Sequence, residues 1–240
     1  MHAQSKQGLF PWFSLLTGAF GFALRCWLLS SADDKGLLPA NHFAGIVCFL
    51  LLAVTLAFTF WQVRKAAPSK AYHKLFPASP IAAAGIAVGA LGMGISGFTT
   101  GGSGLFGVLV PVLGVLCALA LLYAAYCRLI GLHPSYLLYC VAVVYLILRT
   151  LLCCRTWGSE SQLQLYFFSL LGILFLLIAC FYRAELTAMM GDYHRYVFFA
   201  QAALFCCMLC LPGENWLFYL SAGFWMAADF CQFPTLKEDE

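Results

Sequence analysis

Apolar residues fall in long runs along this chain, broken by short segments that carry charge or clustered glycine and proline. Each run is apolar on every face, without the period-two alternation of an outer-membrane strand. A bilayer crossing needs roughly 20 apolar residues as helix and about 10 as strand. The runs have helix length, and eight spans are expected near 9–30, 41–63, 80–97, 105–127, 134–152, 163–182, 196–211 and 215–232. The last two are short and joined by Leu211-Pro212-Gly213-Glu214-Asn215, turn chemistry that predicts a tight helical hairpin. The first run is too long for a signal-peptide core and reads as an anchor.

One pattern occurs twice. Gly8-Leu9-Phe10-Pro11 opens a run ending in Leu24-Arg25, and Gly131-Leu132-His133-Pro134 opens another ending in Leu148-Arg149. Further on, Tyr72-His73-Lys74 is echoed by Tyr193-His194-Arg195. Matches of Leu or Ala are cheap in membrane sequences, but Pro, Arg, Tyr and His in the same order are not. This is the signature of an internal repeat. It divides the chain into residues 1–129 and 130–240, two four-helix repeats forming one membrane domain. Four spans is an even number, so both repeats insert the same way up. A pseudo-two-fold axis along the membrane normal then relates them, as in parallel-repeat transporters. The expected fold is an all-α polytopic bundle.

Composition agrees with lipid as the solvent. Hydrophobic residues make up 63% of the 240, charged residues 10%, and mean hydropathy is +0.88. A soluble domain has roughly 25% charged residues, so this chain could not cover its surface in water. Lys and Arg fix an expected orientation. Lys6, Arg64, Lys65, Lys70, Lys74, Arg128, Arg183, Arg195 and Lys237 share one side when the N-terminus is cytoplasmic. The positive-inside rule therefore predicts both termini in the cytoplasm of a cell-membrane protein. The net charge of +3 follows that topology and gives no support for nucleic-acid binding.

Few residues are candidates for chemistry. Arg25 and Arg149 lie roughly 24 and 22 Å along their spans, at 1.5 Å per residue, in a core about 30 Å thick. They either snorkel to the headgroups or face a shared vestibule suited to an anionic solute or lipid headgroup. Tyr72, His73, Tyr193 and His194 precede spans at the opposite side. They read as interface anchors or as a site for anionic lipid or a phosphorylated metabolite. None of the five histidines lies deep in a span, and no zinc-ligand spacing occurs, so no metal or cofactor is expected. The 12 cysteines read as small apolar packing residues. Gly85, Gly89, Gly92, Gly94 and Gly97 in the third span read as a close-packing stripe. Asp229 and Glu214 lie near helix ends without an evident partner. No catalytic motif is present, which disfavours an enzyme. Two functions remain: a small-solute transporter with its site between the repeats, or a binding, sensory or scaffold subunit that joins another protein and moves nothing.

Overall fold

The computed structural model describes residues 10–31, 43–65, 76–99, 104–157 and 163–230. Eight helices account for nearly all of them: α1 Phe10–Ser30, α2 Phe43–Lys65, α3 Pro80–Thr99, α4 Leu105–Ile130, α5 Tyr136–Trp157, α6 Leu163–Thr187, α7 Tyr193–Leu209 and α8 Trp216–Phe230. Each expected span corresponds to one helix. Six of the helices, α1 to α6, are long and apolar enough to cross a membrane. The other two, α7 and α8, have 17 and 15 residues. The protein is an all-helical membrane bundle.

Local chemistry sets the helix ends. Gly131 closes α4 in the left-handed region at φ 74°, and the Leu132 amide donates back to the Cys127 carbonyl at 2.9 Å. This is the usual way to satisfy the last carbonyls of a helix. Asp192 caps α7, its side chain accepting from the His194 amide at 3.0 Å. The α7–α8 hairpin is as tight as its residues predict: the Gly213 amide donates to the Cys210 carbonyl and the Trp216 amide to the Gly213 carbonyl.

Neighbouring helices alternate in direction. The odd-numbered helices run from one face of the bundle, called the near face, to the opposite far face, and the even-numbered ones return. Helices α3 to α8 form a closed circuit, each packed on the next and α8 back on α3. Outside that circuit, α1 and α2 pack on each other and on α7. A hydrogen bond between Ser14 and Gln201 joins α1 to α7, and the Thr55 hydroxyl donates to Thr17 at 3.2 Å. The sequence-matched pairs α1/α2 and α5/α6 therefore occupy different surroundings, flanking the circuit in one case and within it in the other.

The glycine stripe of α3 packs helices together. Gly85, Gly89 and Gly92 face α8, while Gly94 and Gly97 face α4. At Gly89 the backbones approach so closely that a Cβ would lie 2.7 Å from the Ser221 carbonyl oxygen and 3.0 Å from the Trp225 amide nitrogen. Only a residue without a side chain fits there. Polarity is distributed inside out, as lipid demands. Leu16, Phe20, Leu50, Ile81, Val88 and Leu119 are exposed, whereas Arg149, Arg183, Gln201 and Asp229 are buried.

Candidate functional site

The buried charges gather at the two ends of the bundle. At the far face, Arg25 of α1 is 5% exposed and Arg149 of α5 is 1% exposed. Both turn into the protein rather than up to the headgroups. A mid-membrane arginine costs about 2.5–3.5 kcal/mol on insertion scales, and here protein contacts offset that cost. Arg149 donates through Nη1 to the Tyr145 hydroxyl at 3.0 Å and toward the Ser96 carbonyl at 3.5 Å. Its Nη2 donates to Asn215 Oδ1 at 3.2 Å, and its guanidinium lies 3.9 Å from the centre of the Phe218 ring. The Arg25 guanidinium lies 5.8 Å from the Phe168 ring centre.

Asn215, held by Arg149, shares the lining of one cavity with Arg25. It lines a far-face cavity of about 220 Å³ together with Arg25, Glu214, Ser169, Trp157 and Tyr166. Trp157 and Tyr166 stack with ring centres 4.8 Å apart. Arg149 stands behind Asn215 and holds the amide by its oxygen, which leaves the Asn215 amino group as a donor (the amide orientation follows from this hydrogen bond). Arg25 therefore reaches the cavity directly, and Arg149 acts on it through Asn215. The cavity forms because the hairpin turn lies between the far ends of α1, α5 and α6.

At the near face a second cluster surrounds an ion pair. Arg183 Nη2 lies 3.3 Å from Asp229 Oδ1, with side chains 1% and 0% exposed. The Tyr196 hydroxyl donates to the other carboxylate oxygen at 2.8 Å. The Arg183 guanidinium is 3.2 Å from the centre of the Phe76 ring and 5.4 and 5.5 Å from those of Tyr139 and Tyr196. Arg128, also buried, lies 5.2 Å from the Phe76 ring centre. Four helices, α5 to α8, thus meet around one charge pair.

This second cluster corrects the sequence reading. Asp229 has a partner and is fully buried near the end of α8, and Arg183 is a core residue as well as a topology signal. The available clue was an acid within an otherwise apolar helix, which in a membrane calls for a cation. Pairing across α6 and α8 is set by tertiary packing, which no local pattern encodes.

The remaining candidates lie apart from Arg25 and Arg149. His194 and Arg195 flank the cap residue Asp192, with Nδ1 and Nε each 3.4 Å from its carboxylate. They also line an open groove of about 410 Å³ with Arg64, Phe60 and Phe198. Tyr193, the first residue of α7, is partly buried beside them. Tyr72 and His73 lie outside the described residues. All described cysteines are free thiols, and Cys206, Cys207 and Cys210 are packed in the interior. Comparison with protein-family models, with curated proteins and with solved structures finds no match to this chain.

Proposed function

We propose that the protein binds a small oxyanion-bearing solute at the far-face cavity and serves as its permease. The observation that carries this reading is the inward turn of Arg25 onto a cavity whose Asn215 is fixed by a second buried arginine. A bidentate guanidinium recognises carboxylate or phosphate better than an ammonium does. The duplicated sequence pattern belongs to the same proposal. It supplies the matched arginines, which converge on one end of the bundle. A second reading, a binding or sensory subunit that moves nothing, is favoured by the dense layer between the two clusters, where Tyr145, Trp225, Phe205 and Met93 are buried.

The test uses purified protein titrated with acetate and with inorganic phosphate, read as a shift in thermal unfolding. At least one should stabilise the wild type. Arg25→Lys should weaken that anion at least tenfold, about 1.4 kcal/mol. Arg149→Lys and Asn215→Ala should each weaken it by a similar factor, and the two together by little more than either, because one residue acts through the other. Wild-type affinity in Arg25→Lys would end the anion-site reading. Uptake of the stabilising anion into proteoliposomes then separates permease from subunit.

Location in the cell membrane with both termini cytoplasmic is also proposed, supported by the Lys and Arg distribution. Reporters active only in the cytoplasm should work when fused after Lys70, Arg128, Asp192 and Lys237. They should be silent near Asp34, Gly102, Trp157 and Gly213. Activity at Gly102 with silence at Arg128 would reverse the assignment.

A further inference from the structure

We infer that the near-face groove between α2 and α7 seats an anionic phospholipid, its phosphate at Arg64 and Arg195 and an acyl chain along Phe60 and Phe198. The groove lies at the opposite end of the bundle from the far-face cavity and is independent of it. Its apolar floor fixes where the charges lie. The Phe60 and Phe198 rings meet edge to face with centres 6.4 Å apart, which ties α2 to α7. α2 ends at the near face and α7 begins there. Arg64 follows Phe60 by one turn and Arg195 precedes Phe198 by about one turn, so each is closer to the near face than its phenylalanine. The i,i+4 and i,i+3 spacings keep each arginine on the side of its helix that carries the ring. The two arginines therefore stand at one depth above one aromatic pair, and both line the groove of about 410 Å³.

Their donors suit a phosphate. The Arg64 guanidinium lies 4.4 Å from the Phe60 ring centre, a contact made through its flat face that leaves the in-plane N–H groups able to bind an oxyanion. Arg195 meets Asp192 Oδ2 through Nε at 3.4 Å, and with side chains 64% and 47% exposed such a pair is weak. The two Nη groups of Arg195 can meet a phosphate without breaking it. His194 Nδ1 lies 3.4 Å from the other Asp192 oxygen. With histidine counted neutral, two arginines against one aspartate leave one excess positive charge. That complements the single negative charge of a phosphodiester whose headgroup brings no cation of its own. Beneath the arginines the walls are Phe60, Val63, Phe198 and Phe199. Phe60 is 50% exposed on a helix long and apolar enough to cross a membrane, so the groove opens toward acyl chains. Those walls select a lipid over a soluble phosphate.

The test gives full-length protein in dodecyl maltoside equal amounts of dioleoyl phosphatidylglycerol and dioleoyl phosphatidylcholine, and reads the ratio retained by native mass spectrometry. The wild type should prefer phosphatidylglycerol roughly tenfold or more, since one basic residue near an anionic surface contributes a factor of about five. Arg64→Gln and Arg195→Gln, both at exposed positions, should each lower the ratio about fivefold. Together they should abolish the preference. Arg155→Gln is the control, an exposed far-face arginine beside the Phe106 ring, and should leave the ratio unchanged. Excess sn-glycerol 3-phosphate should not displace the lipid. Equal retention of the two lipids by the wild type, or a preference that survives the double change, would overturn the site. Displacement by sn-glycerol 3-phosphate would overturn the lipid as its occupant.

Discussion

Asp229→Ala should leave little folded protein. The substitution strands the Arg183 guanidinium at 1% exposure without its carboxylate and removes the acceptor of the Tyr196 hydroxyl. Breaking a buried pair by deleting one partner costs about 3–5 kcal/mol, because the remaining charge has no water to turn to. That is a large share of the roughly 5–15 kcal/mol by which folded domains exceed their unfolded states. The paired replacement Arg183→Leu with Asp229→Leu should cost much less than the single change, since no charge is then left buried. Tyr196→Phe should cost only about 1 kcal/mol, one hydrogen bond. Gel-filtration profiles and thermal unfolding in detergent report all three. A single mutant as stable as the double would mean that the pair does not hold α6 and α8 together.

Gly89→Val should be the most damaging small-to-large change in α3. The added methyls have to displace the backbone of α8 at Ser221 and Trp225, and a helix backbone cannot swing aside as a side chain can. Overpacking of this kind costs typically 1–3 kcal/mol and sometimes more. Gly45 of α2 is the control, because a Cβ there meets nothing within 4 Å. Gly45→Ala should be neutral or slightly stabilising, given alanine's greater helix propensity. The comparison is made by unfolding midpoint in one detergent. Equal effects at the two positions would show that α3 and α8 are not in close contact.

Much of the fold was legible because membranes impose a simple code. The extent of each apolar run gave the helices to within a few residues, and the Pro-Gly turn gave the hairpin. The glycine stripe was recognisable as packing, although its division between α8 and α4 depends on the side from which each neighbour arrives. Arg25 and Arg149 stood out because charge in an apolar run is rare. Their inward direction was not legible, since snorkelling and burial share one sequence pattern. The Arg183–Asp229 pair was hidden for a different reason: its members belong to helices whose adjacency is decided by the whole circuit of α3 to α8.

The shortness of the α7–α8 hairpin has a consequence for how the bundle spans the bilayer. At 1.5 Å per residue these helices are roughly 25 and 22 Å long, against roughly 39 Å for the 26-residue α4. Asn215 at the hairpin turn meets Arg149, a residue two helical turns before the end of α5. α7 and α8 each fall short of a hydrocarbon core about 30 Å thick, yet α7 is almost wholly buried among α1, α2, α6 and α8, so the protein around it, and not the lipid, meets the shortfall.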